Sequence, residues 1–281
     1  MEKRSLGNTG EQVSILGFGG IAVADLPQAD ADRMVAEAVD RGVCYFDVAP
    51  SYGNAQERLG PALEPYRDGV FLACKTGERD KEGSARELEE SLRLLRTDHV
   101  DLYQLHGLMT VEEVEKVFAG GGAMETFQAA RREGKTRFLG FSAHSEEAAL
   151  EALRRFPFDT ILFPFNFVCW FKGFGPRVME AAKSRGAGRL ALKSVARTFW
   201  PGEERGYPKC WYQPYDDPET AELAFRWTLS QEVSAAVSPG QQELFPMMLD
   251  FAERFRPITG EEEQRLRGMA EGLTPIFPQR E

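Results

Sequence analysis

The sequence predicts an α/β fold, a (β/α)8 TIM barrel with an N-terminal β-hairpin, and three observations carry that expectation. Short apolar runs of strand length alternate with segments of helical periodicity, the pattern of βα units around a parallel sheet. Eight such runs can be counted, enough to close a barrel. Polar residues able to do chemistry fall at or just past the ends of several runs, where a parallel barrel gathers its catalytic groups on one face. The 281 residues exceed the usual domain length, but barrels of ~250 residues form around one core. One domain over 1–281 is the expectation.

A hairpin is expected near Arg4–Ile15. Strands follow at Ile15–Phe18, Cys44–Asp47, Phe71–Lys75, Val100–Leu105, Arg137–Phe141, Thr160–Phe163, Arg189–Lys193 and Ala235–Val237. Helix formers and apolar spacing place helices at Ala29–Arg41, Ala55–Leu63, Ser84–Leu95, Met124–Glu133, Glu146–Phe156, Gly175–Arg185, Pro218–Gln231 and Gln241–Phe255. Gly42, Gly134 and Gly186 sit where helix C-caps are wanted. The run Gly120-Gly121-Gly122 reads as a loop rather than a phosphate cradle. Glu261–Glu271 reads as an extra surface helix, before an irregular tail with Pro275 and Pro278.

Charge and composition narrow the function classes. A formal net charge of −10 and no clustered Lys and Arg argue against nucleic acid as a partner. No run approaches the ~20 apolar residues of a membrane span, and Met1-Glu-Lys-Arg4 lacks a signal-like apolar stretch. No membrane partner and a cytoplasmic location are the expectation. Cys44, Cys74, Cys169 and Cys210 are too widely spaced for a zinc site or a redox dithiol and read as reduced thiols. No metal is implied.

Asp47, Tyr52, Lys75 and His106 close three successive strand-like runs. Singly, each has a structural reading: Asp47 as a cap or turn former, Tyr52 as loop cover, Lys75 as a solvated strand end, His106 as a satisfied core histidine. Together they suggest one site. A phenol titrates near pH ~10 and donates a proton poorly at neutral pH unless a nearby cation lowers its pKa. Lys75 can supply that cation, Asp47 can hold the ammonium in place, and His106 can hydrogen-bond a carbonyl oxygen that gains negative charge.

These residues resemble the tetrad of the aldo-keto reductase family. The resemblance covers nearly the whole chain through Leu6-Gly-Asn-Thr-Gly10, Leu16-Gly-Phe-Gly-Gly20, Asp47-Val-Ala-Pro-Ser-Tyr-Gly53, Lys75-Thr76, Gln104-Leu-His106 and Gly140-Phe-Ser142, in family order. It implies a nicotinamide cofactor bound across the barrel top, in keeping with the absence of a Rossmann glycine fingerprint. Carried over by motif, Ser142 meets the carboxamide, Gly20 and Ile21 line the cofactor beside the first strand, and Asp47 lies next to it.

Several positions depart from the family pattern. Ala143 and His144 follow Ser142 where the family has Asn, so His144 is a candidate second carboxamide contact. An apolar residue replaces Gln on the sixth strand. Lys193 ends the seventh strand in place of a stacking Tyr, and it reads as a cofactor-phosphate partner or a strand cap, with Ser194 and Arg197 as pyrophosphate candidates. Ser238-Pro-Gly-Gln-Gln242 resembles the family's phosphate-receiving loop, with Gly240 as a backbone contact. This segment has no positive side chain before Arg254, so NADP(H) is the family default and NAD(H) the alternative. The loops after the sixth and seventh strands carry Phe167, Trp170, Phe171, Phe174, Phe199, Trp200, Trp211 and Tyr212, aromatic surface for pocket or packing.

The expected activity is NAD(P)H-dependent reduction of a small-molecule aldehyde or ketone, with Tyr52 as general acid. A non-catalytic, redox-sensing nicotinamide-binding subunit is the rival, and the intact tetrad argues against it. A barrel acting on phosphosugars by unrelated chemistry is a third reading. The oligomeric state and the physiological substrate are not encoded in any motif.

Overall fold

A computed structural model of the chain describes residues 1–278. The hairpin pairs β1 (Lys3–Ser5) with β2 (Gln12–Ser14). Barrel strands follow as β3 (Leu16–Gly19), β4 (Tyr45–Val48), β5 (Phe71–Thr76), β6 (Val100–Leu108), β7 (Thr136–Ala143), β8 (Thr160–Phe163) and β9 (Gly188–Ala191). A small antiparallel pair, β10 (Ala196–Phe199) and β11 (Tyr212–Pro214), precedes the last barrel strand, β12 (Ala235–Val237). All eight barrel strands are parallel, and β12 closes the ring by pairing with both β9 and β3.

The helices are α1 (Gln28–Asp40), α2 (Ala55–Leu63), α3 (Lys81–Leu94), α4 (Val111–Phe118), α5 (Ala123–Arg132), α6 (Glu146–Arg155), α7 (Phe167–Phe171), α8 (Pro176–Ser184), α9 (Pro218–Ser230), α10 (Phe245–Glu253) and α11 (Gly260–Glu271). Eight of them alternate with the barrel strands. α4, α7 and the β10–β11 pair are additions that the sequence pattern did not predict. The last barrel helix is shorter than expected, because a 3-10 turn at Gln242–Leu244 and Pro246 delay its start. β9 also ends early: it stops at Ala191 rather than Lys193, and Lys193 turns off the strand in a left-handed conformation, φ 62°.

Side chains alternate across each strand, so every second residue enters the barrel. Tyr45, Phe71, Ala73, Leu102, Leu162, Leu190, Ala235 and Val237 form the interior cluster with Leu6 and Val13 of the hairpin, which seal the N-terminal end. Phe46, Val48, Leu72 and Cys74 face the other way, into the larger core beneath the helices. Gly17 makes room inside, since a Cβ there would lie 2.5 Å from the Tyr45 ring.

The same alternation builds the site. Two residues beyond Tyr45 comes Asp47, two beyond Ala73 comes Lys75, and two beyond Leu102 come Gln104 and then His106. An apolar barrel interior therefore ends in a polar layer at its C-terminal mouth.

Candidate active site

Asp47 is buried, and three donors converge on its carboxylate. Lys75 Nζ donates to Oδ1, while Gln104 Nε2 at 2.9 Å and the Tyr45 hydroxyl at 3.2 Å donate to Oδ2. The Lys75 ammonium also lies 3.3 Å from the Tyr52 hydroxyl. Burial pulls the Lys75 pKa down, but Asp47 and then Tyr52 more than offset it, so the ammonium is held above its ordinary value. It stays charged at neutral pH.

Tyr52 does not have the lowered pKa that its lysine neighbour suggests in sequence. Burial raises it more than Lys75 lowers it, and Asp47 adds to the rise, so the net direction is upward. The phenol therefore keeps its proton at neutral pH. What Lys75 contributes is a charge placed where a phenolate would form once that proton leaves.

His106 stands edge-on to Tyr52, with ring centroids 5.6 Å apart. Its Nδ1 lies 3.3 Å from the Ser51 hydroxyl, and its backbone oxygen accepts from Arg79 at 2.8 Å. Burial, then Lys75, Lys193 and Arg79, push its pKa down to about 3. The ring is neutral. Its strand continues into Gly107, whose N–H donates to the Ser142 hydroxyl at 2.7 Å.

One cavity of about 190 Å³ lies over this layer. Of the sequence-predicted residues, Asp47, Tyr52, Lys75, His106, Ile21, Ser142, His144, Lys193 and Gly240 line it. Gly20 does not; it packs behind, where a Cβ would come within 2.9 Å of the Asp47 backbone oxygen. Ser194 is buried outside the cavity lining, its hydroxyl without a partner among the described residues. Arg197 is exposed on β10 and lies over the Tyr215 ring, 5.9 Å from its centroid.

Sequence reasoning missed Tyr45, Gln104 and Ser51 as partners of the tetrad, and also Lys209. Lys209 enters from the segment between β10 and β11, and its Nζ donates to the backbone oxygens of Ala22, at 3.0 Å, and Ala24, and to Gln242 Oε1 at 2.9 Å. It thus straps the insert to the loops after the first and last barrel strands. A positive charge does reach the region that looks bare of cations in sequence. Beside it, Gly240 allows close approach of Ile21, whose Cγ2 would lie 2.3 Å from a Cβ.

The residues fit a nicotinamide dinucleotide. Ser142, already accepting from Gly107, keeps its own hydrogen to donate, and Lys209 brings positive charge to the same cavity. The molecule is thus an eight-stranded parallel barrel with an Asp–Lys–Tyr–His group at its C-terminal mouth. A family model described as "Aldo/keto reductase family" matches residues 15–244, and the chain belongs to that family.

L-galactose dehydrogenase of Arabidopsis thaliana is 33% identical over 243 residues, covering 80% of this chain and 74% of that one. The aldo-keto reductase YhdN of Bacillus subtilis (strain 168) is 31% identical over 225 residues, 72% of this chain and 65% of its own. The chain thus spans just under two thirds of YhdN's length. The holo form of the aldo-keto reductase AKR11C1 from Bacillus halodurans superposes with a TM-score of 0.76 at 25% identity, over 99% of this chain and 100% of that one.

Proposed function

We propose that the chain reduces an aldehyde or ketone to the alcohol, with Tyr52 as general acid and NADPH as hydride donor, NADH being the alternative. The observation that carries the reading is the Lys75 ammonium held between Asp47 and the Tyr52 hydroxyl, 3.3 Å from the latter, at the mouth of the barrel. A bound reduced nicotinamide supplies the hydride to the carbonyl carbon. Tyr52 gives its proton to the carbonyl oxygen, and Lys75 stabilises the phenolate that remains until solvent returns the proton.

Neutral His106 positions that oxygen. The Ser51 hydroxyl lies against Nδ1, and when it donates there the ring proton sits on Nε2, free to donate to substrate. Ser142 and His144 at the cavity wall, and Ile21, Gly240 and Lys209 along its side, are the residues to hold and orient the cofactor; Gly20 acts through packing behind Asp47. One barrel domain carries all of these groups.

The test is loss of nicotinamide absorbance with a panel of aldehydes and each cofactor in turn. The wild-type chain is expected to oxidise at least one cofactor, and Tyr52→Phe to fall by about 10²–10⁴-fold in kcat. A wild-type chain that binds cofactor yet oxidises neither, or a Tyr52→Phe variant at full rate, overturns the reading.

A further inference from the structure

We propose that Lys193 is an anion-recognition residue for substrate, so that the carbonyl compounds this site selects carry a carboxylate. The inference rests on the reductase reading and deepens it.

Among the described residues, three other than glycine have positive φ: Asp25, Arg96 and Lys193. Of these only Lys193 lines the cavity. A strand continuing past Leu192, itself a cavity residue, would send the next side chain away from the interior. The left-handed turn brings it back into the mouth. Such a backbone is disfavoured for a residue with a Cβ, and strained positions of this kind cluster at functional sites.

Among the described residues the surroundings supply no anion. Lys193 Nζ lies 3.3 Å from His144 Nε2, beneath the Trp211 and Phe277 rings at 5.5 and 5.6 Å from their centroids. Among the described residues it has no acidic partner, whereas Asp47 neutralises Lys75. The ammonium of Lys209 has three acceptors of its own. The titratable groups facing Lys193 are Lys75, His106, His144, Cys169 and Cys210. Burial holds both histidines neutral and both thiols protonated. A half-enclosed cation without a counter-charge is completed by a ligand that brings one.

Carboxylate of substrate and phosphate of cofactor share the required chemistry. Lys193 belongs to the substrate side, because it shares the cavity wall with His106 and Tyr52 and the surfaces around it are the flat faces of Trp211 and Phe277. Lys209, beside Gly240, has the position a cofactor phosphate would use. Burial and then Lys75 lower the Lys193 pKa to about 7. Its charge therefore titrates in the working range.

The experiment compares 4-carboxybenzaldehyde and succinic semialdehyde with their methyl esters, acid against ester, in the wild-type chain, Lys193→Met and Lys193→Arg. Binding of terephthalate and its dimethyl ester is followed in parallel by tryptophan fluorescence, with Trp211 lining the cavity. For at least one pair the wild-type chain should favour acid over ester in kcat/KM by about tenfold to a hundredfold, the worth of one charge-assisted contact. Lys193→Met should bring that ratio close to one, and Lys193→Arg should restore most of it. The acid preference should fade as pH rises through about 7, where free Lys193 loses its proton.

A wild-type ratio near one, or a ratio untouched by Lys193→Met, overturns the proposal. So does a Lys193→Met variant with an intact ratio and weaker nicotinamide binding, which would give the lysine to the cofactor. If no aldehyde is reduced but terephthalate binds and Lys193→Met abolishes its binding, the carboxylate site stands and the reductase reading fails.

Discussion

Asp47 shows how a site is assembled one side chain at a time. It satisfies Lys75, Tyr45 and Gln104 at once, so neutralising it strands a buried ammonium. Asp47→Asn should cost about 3–5 kcal/mol, the usual penalty for breaking a buried pair from one side, read as a lower urea midpoint. Without the carboxylate, burial prevails and the Lys75 pKa falls, so activity should drop as well. A variant with the wild-type midpoint would contradict this account of the pair. Asp47, Lys75 and His106 are legible in the sequence because each stands at a strand end. Tyr45, Gln104 and Ser51 are not, because their roles arise only when neighbouring strands close and bring side chains distant in sequence into contact.

At the scale of elements, the barrel strands are legible because apolar runs of the right length recur between helical segments. The additions are harder to read. α4 does carry a signal, Thr110 capping Glu113 at 3.2 Å with Val114 and Val117 buried beyond, but its eight residues are short beside a barrel helix. β10 and β11 have little alternation and depend on each other, with a bulge between Ala196 and Thr198. Lys209 travels with that pair, which is why its arrival beside Gln242 cannot be foreseen from the bare loop at Ser238–Gln242.

Strand packing is also where a glycine can be tested. Gly17→Ala would press a methyl group against the Tyr45 ring and should cost about 1–3 kcal/mol by overpacking, measured as a lower Tm. Because Tyr45 also bonds Asp47, turnover should fall alongside. An unchanged Tm would mean that the barrel interior has slack that the 2.5 Å approach denies.

For the whole molecule, burial rather than cross-linking holds the fold together. All four cysteines are free and buried, with Cys74 and Cys169 pushed up to about 11 chiefly by burial. A thiol reagent such as DTNB should leave the native protein nearly unlabelled and react with four thiols after denaturation, and reductant should leave Tm unchanged. Rapid native labelling would show that the core opens. No described helix is long and apolar enough to cross a membrane.

The hairpin adds a constraint of its own. Leu6 and Val13, both fully buried, stop the far end of the cylinder, so arrivals and departures share one doorway. If the proposed cofactor seats deepest, against Ser142, it can leave only after the substrate seated above it has gone. Turnover would then be a queue, with the closed floor of the barrel setting its order.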